Sequence, residues 1–193
     1  MKNIDNYPTI AFETQQDWEM WLEKHHSEAK GVWLKLAKKA TGIPSITRAE
    51  ALDGALCYGW IDGQAASFDT QYWLQKFTPR GPRSIWSKVN RDKVGVLQTA
   101  GRMRAAGVRQ VELAQADGRW KAAYDGQRKA SVPEDLQSEL NKNQKAQTFF
   151  NTLDRTNRYA ILLRIQTAKK AETRVARIQK FVEMLANNEK LYP

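Results

Sequence analysis

Apolar residues recur along the chain with two different periods, and the change of period sorts it into elements. Trp18, Trp21 and Leu22 fall at i, i+3 and i+4 among Glu13, Asp17, Glu19 and Glu23, the spacing of one helix face. Thr14, with Asp17 three residues on, supplies the N-cap, and Lys24, His25 and His26 bring positive charge to the last turn. Thr9-Ile10-Ala11-Phe12 before it predicts a short strand. Residues 31–39 switch to period two, with Val32, Leu34 and Leu36 on one face and Trp33 and Lys35 on the other. Thr47-x-x-Glu50 is a complete capping box and predicts a helix over 48–57, with Ala51, Leu52, Ala55 and Leu56 apolar. Strands are expected over 60–66 and 72–78, joined by a turn near 67–70 into an antiparallel hairpin. A turn centred near Asp69 sets Asp62 opposite Lys76.

The rest of the pattern is helical. Pro79 and Pro82 stiffen the loop 78–83 and limit how Arg80 and Arg83 are presented. A helix over 91–106 would be capped by Ser87 or Asn90, bury Val94, Leu97 and Met103, and stop at Gly107 in the C′ position. A short helix over 111–116 closes at Asp117-Gly118. Pro133 opens the next helix, and others follow over 145–153, 157–170 (after Asp154 or Thr156) and 171–187. Phe149, Phe150, Leu162, Ile165, Ile178 and Leu185 belong to their apolar stripe, while Lys169, Lys170, Arg174, Arg177 and Lys180 face out. The expected fold class is α+β: a small, mainly antiparallel sheet packed with helices over 1–125, then an all-helical part over 126–193, with a soft boundary near 125–132.

Composition narrows the function classes. The 193 residues include 41% apolar and seven Trp, enough bulk for a real core. No run of about 18 apolar residues reads as a membrane span. The first eight residues carry no apolar h-region, and a single Cys excludes an intramolecular disulfide, so a cytoplasmic location is expected. The net charge of +10 is uneven: residues 1–70 hold 7 Lys/Arg against 10 Asp/Glu, and residues 71–193 hold 24 against 11. Such asymmetry fits an anionic partner, whether nucleic acid, a phosphorylated ligand or an anionic membrane surface, as well as a plain solvated face. His25 and His26 are adjacent on a helix and point about 100° apart, so they do not form a metal pair. No phosphate loop, dinucleotide fingerprint, zincin or nucleophile-elbow motif is present, and no cofactor or metal is called for.

The densest chemistry lies in Ala55-Leu56-Cys57-Tyr58-Gly59-Trp60-Ile61-Asp62-Gly63. Alternation puts Tyr58, Trp60 and Asp62 on one face, and Cys57, Gly59, Ile61 and Gly63 on the other. Cys57 at a helix C-terminus meets the negative end of the dipole and has no nearby His base, which argues for a small buried residue rather than a nucleophile. Together with Trp18-x-x-Trp21-Leu22, Gly31-Val32-Trp33-Leu34, Lys38-Lys39, Phe77-Thr78-Pro79-Arg80, Trp86-Ser87-x-x-Asn90 and the late run from Lys169 to Ile178, this nonapeptide resembles the YdeI/OmpD-associated, or bacteriocin-protection, family over nearly the whole chain. The resemblance implies a role in tolerance of bacteriocins or cationic antimicrobial peptides. It implies no agreed reaction and no catalytic residues.

Three functional readings follow. In the first, a non-catalytic pocket lined by Lys38, Tyr58, Trp60, Asp62, Arg80, Trp86 and Asn90 holds an anionic small molecule or peptide, with Arg80 as fork, Trp60 as stacking wall and Asn90 at a helix N-terminus. In the second, Lys170, Arg174 and Arg177 on the C-terminal helices bind nucleic acid. In the third, Asp62 is the general acid or base of an enzyme of unknown class.

Overall fold

The computed structural model describes residues 6–193. These divide into two compact units, one made of residues up to 85 and 90–121, the other of 86–89 and 122–193. The first contains β1 (Thr9–Ala11), α1 (Gln15–His25), β2 (Val32–Ala37), a short 3-10 turn (Lys39–Thr41), α2 (Arg48–Cys57), β3 (Trp60–Ser67), β4 (Tyr72–Pro79) and α4 (Ala105–Ala116). Helix α3 (Lys88–Thr99) has all but its first two residues in this unit. The second holds α5 (Glu134–Asn141), α6 (Gln144–Thr152), α7 (Arg155–Gln166) and α8 (Ala171–Ala186). The class is α+β, with a small sheet first and helices after it.

Both capping boxes close as the spacing predicts. The Thr14 hydroxyl accepts from Asp17 N and the Asp17 carboxylate accepts from Thr14 N; Thr47 and Glu50 repeat the arrangement on α2. The sheet order is β1-β2-β4-β3. Only β1 with β2 is parallel; β2–β4 and β4–β3 are antiparallel. Register puts Val32, Leu34 and Leu36 beside Phe77, Gln75 and Trp73. On that face Trp18 of α1 meets Phe77 at 5.7 Å and crosses Trp60 edge-on at 6.5 Å. The opposite face carries Trp33 beside Lys76, Lys35 beside Leu74 and Ala37 beside Tyr72.

The hairpin register differs from the expected one. Asp62 lies opposite Phe77, not Lys76. The turn is centred on Thr70, since Ser67 pairs with Trp73, and Asp69 builds it by accepting from Gln71 N (2.8 Å) and Tyr72 N (2.7 Å). A bulge then falls between Asp62 and Ala65. The buried Gln75 amide donates to the Gly63 and Gln64 carbonyls at 2.9 and 3.1 Å, satisfying acceptors that the ladder leaves over.

Gly107 also plays a different part. Helix α3 ends earlier, at Thr99, and Gly101 takes the left-handed conformation (φ 65°). Gly107 sits inside α4, where a Cβ would run into the Cys57 carbonyl. Its role is close backbone approach of α4 to the end of α2, and Arg104 N donates to the same carbonyl at 3.0 Å.

In the second unit Leu136, Leu140, Phe150, Ile161, Ile165, Ile178, Phe181 and Leu185 form one buried cluster. Asp154, one of the two expected caps, is the cap of α7, accepting from Asn157 N at 2.7 Å. Among the described residues no helix is long and apolar enough to cross a membrane.

Two glycines in one unit test this account. Gly107→Ala is expected to lower the urea midpoint by an overpacking cost of about 1–3 kcal/mol. Gly95, exposed in the middle of α3 with open space where a Cβ would go, behaves oppositely: Gly95→Ala is expected to raise stability by about 0.5–1 kcal/mol. Equal midpoints for the two variants would refute the packing role of Gly107.

Candidate functional site

The residues of the central nonapeptide serve α1 and its neighbours. Tyr58 caps α2 rather than starting the strand, and Gly59 turns the chain with φ 76°. The expected strand alternation therefore does not reach Tyr58. Its hydroxyl donates to Glu23 Oε2 at 2.8 Å, and its ring lies against His26. Burial, then the Glu23 contact, pushes its ionisation upward, with Arg104 opposing. Trp60 is buried; its indole N–H donates to the His26 carbonyl at 3.1 Å, and its ring stands edge-on to Trp21. Asp62 pairs with Arg48, whose Nε also donates to Gln75 at 3.3 Å.

Arg80 is 5% exposed. Its backbone N donates to the Gly59 carbonyl at 2.9 Å, while its Nη1 reaches the Ile85 carbonyl at 3.3 Å. The indole of Trp60, the carboxylate of Asp62 and the guanidinium of Arg80 thus take three different partners. Trp86 is buried and belongs to the second unit; Asn90 is buried in α3, in the first. Lys38 is exposed, and its Nζ donates to the Asp69 carbonyl at 2.7 Å. Of the basic trio on the tail, only Lys170 lies exposed with its side chain unengaged by any described hydrogen bond or ion pair. Arg174 holds Asp135 through Nε and Nη2 and the Ile165 carbonyl through Nη1; Arg177 donates to the Arg164 carbonyl.

Around Lys38 the sheet presents a surface that sequence spacing did not reveal. Lys35 Nζ sits 4.8 Å from the Phe68 ring centre and 4.3 Å from that of Tyr72. Phe68 is 48% exposed. Further along, Lys76 Nζ lies 4.6 Å from the Tyr7 ring and 5.8 Å from that of Trp33. Each ring attracts the ammonium through its quadrupole and helps to fix its position. Among the described residues Lys35 forms no ion pair. The signal in the sequence was Trp33 and Lys35 sharing a face; the missing part was the β2–β4 register, which brings Tyr72 and Lys76 beside them.

The chemistry this favours is electrostatic recognition of an anion. Cys57 is buried, and burial pushes its thiol up to about 11, so it remains protonated at neutral pH. Among the described residues no group of three His, Cys, Asp or Glu is placed to hold a metal.

The molecule thus defined is an α+β protein with a lysine-bearing sheet face and a helical tail. Residues 10–110 match the family model described as a domain of unknown function, DUF8412; this is more than half of the chain, which belongs to that family. Residues 129–188 match the model described as Bacteriocin-protection, YdeI or OmpD-Associated. The resemblance read from the sequence is thereby found in the helical tail, while the nonapeptide 55–63 lies within the 10–110 match. Comparison with curated proteins and with solved structures finds no match.

The state of Cys57 is directly measurable. Iodoacetamide at pH 8 is expected to leave the folded chain almost unlabelled and to label it fully once urea unfolds it. Rapid labelling of the folded chain would contradict the burial assigned to this thiol.

Proposed function

We propose that this chain is a cytoplasmic bacteriocin or antimicrobial-peptide tolerance protein that acts without catalysis, by binding an anionic small molecule or peptide. The observation that carries the reading is Lys35, held over the rings of Tyr72 and the exposed Phe68, with Lys38 Nζ on the carbonyl of Asp69, the next residue after Phe68. Ammonium groups held in place lose little side-chain freedom on binding, which is where long lysines otherwise lose affinity. The bacteriocin-protection description of the family matched over residues 129–188 supplies the physiological half of the reading.

The sign of the charge supports an anionic ligand. A chain of net charge +10 repels a cationic peptide at long range. Tolerance would then work through an anionic cell constituent and not through capture of the peptide itself. The nucleic-acid reading through the tail has less support, because Arg174 and Arg177 are engaged at the end of α7.

Calorimetric titration with pyrophosphate and with hexaglutamate, at low ionic strength, tests the surface. The double variant Lys35→Ala, Lys38→Ala is expected to bind at least about tenfold more weakly, a loss of about 1.4 kcal/mol. Phe68→Ala, which removes one of the two rings over Lys35, should cost about 0.5–1 kcal/mol. Lys170→Ala should change nothing. Unaltered affinity in the double variant, or a loss confined to Lys170→Ala, would overturn the assignment.

A further inference from the structure

The second unit contains a cavity of about 230 Å³ whose wall includes Asp125, Ser131, Leu162, Gln166 and Arg174. Neither proposed role above uses it. The two charges on its wall are opposite, and both are held in place. Asp125 receives Lys88 Nζ at 2.8 Å on Oδ1 and Gln166 Nε2 at 3.2 Å on Oδ2, and its backbone N donates back to Gln166 Oε1 at 3.3 Å. Arg174 is gripped by Asp135 at 2.6 and 2.9 Å and by the Ile165 carbonyl at 3.0 Å. Gln166 and Ile165 are the last two residues of α7, so one helical turn fixes the acid and the guanidinium relative to each other.

Neither group is exhausted by these contacts. A guanidinium has five N–H donors, and three of Arg174's are bonded within the unit. A carboxylate offers about four acceptor positions, and Asp125 is met by one lysine and one amide. Leu162, buried, adds an apolar patch to the lining. A ligand with one charge would match only one of these two lining groups. A ligand with both charges matches the two lining groups at once, its cationic end on Asp125 and its anionic end on Arg174. The volume lies below the range of about 300–1,000 Å³ usual for drug-sized ligands.

We propose that this cavity is a binding site for a small zwitterion of α-amino-acid size, its ammonium group toward Asp125 and its carboxylate toward Arg174. The site stands on residues of the helical unit alone and does not depend on the role given to the sheet face.

The test is a set of NMR titrations of the full chain with glycine and L-leucine, against acetate and methylammonium. The amino acids are expected to give saturable shifts at the backbone amides of Ser131 and Gln166. Acetate and methylammonium, singly or mixed, should bind at least tenfold more weakly. Ser131→Phe, which puts a bulky ring at an exposed lining position, should abolish the shifts. Asp125→Asn should weaken them at least tenfold, and the circular dichroism melt of each variant reports whether it folds. No saturable shift with either amino acid would overturn the proposal, as would acetate binding as well as glycine or shifts that survive Ser131→Phe in a folded chain.

Discussion

Two buried indole N–H groups decide much of the first unit. Trp18 and Trp60 are large and fully enclosed, and each must find an acceptor for its N–H or lose the free energy of an unmade hydrogen bond, roughly 1–3 kcal/mol. Trp18 donates to the Ala51 carbonyl at 2.9 Å, which ties α1 to α2; Trp60 donates to His26, which ties β3 to the end of α1. With Trp21 stacked on Trp18 at 5.4 Å, three indoles join two helices and the hairpin. Room for this is made in α2 by Gly54, where a Cβ would come within 2.9 Å of the Trp18 ring. A mid-helix glycine costs about 1 kcal/mol relative to alanine, a cost the aromatic burial exceeds at about 1.5–3 kcal/mol for each large side chain.

This packing explains why the densest chemistry in the sequence is not the most available chemistry in the fold. Tyr58 and Trp60 are rich in function-bearing atoms, but those atoms face α1. The opposite face of the sheet carries Lys35 and Lys76 among Trp33, Leu74 and Tyr72, and the environment of these lysines differs from that of the other cations. Lys93 and Arg102 are spent on Asp53 and Glu19 at 2.6 Å each. Lys35 is restrained by rings instead. A quadrupole holds the ammonium without an ion pair, while the Asp69 carboxylate, held below its usual range by the Tyr72 and Gln71 backbone N–H groups and by Lys35 and Lys38, offsets part of the field.

Local signals in the sequence carried well. The two capping boxes, the period-two run at β2 and the Asp154 cap depend on residues within four positions of one another, so spacing alone encodes them. Non-local facts did not carry. The pairing of Asp62 with Arg48, of Tyr58 with Glu23 and of Arg174 with Asp135 spans 14, 35 and 39 positions. The hairpin register failed through two local irregularities, a turn centred one residue later and a bulge, and a one-residue slip changes every cross-strand partner. Gly107 was misread because a glycine after an apolar helical stretch has two physical uses, a left-handed cap or a close approach. Only the position of Cys57 distinguishes them.

The basic tail shows how little a charge run says about role until partners are known. Arg174 and Arg177 reach back to the Ile165 and Arg164 carbonyls, so they close the C-terminal turn of α7, where the helix dipole is negative and carbonyls lack intrahelical donors. Asp135, near the start of α5, takes the Nε–Nη2 edge of Arg174. The Arg174 guanidinium, with bonding to its backbone, holds that carboxyl below the usual carboxylate range. The same positive charge therefore joins α5, α7 and α8, and a helical unit of short elements gains directional contacts that its apolar stripe cannot supply. Charge used this way is short-ranged and internal. The outward field of the chain must come from the cations left over, which is why the weight of the functional argument falls on the sheet.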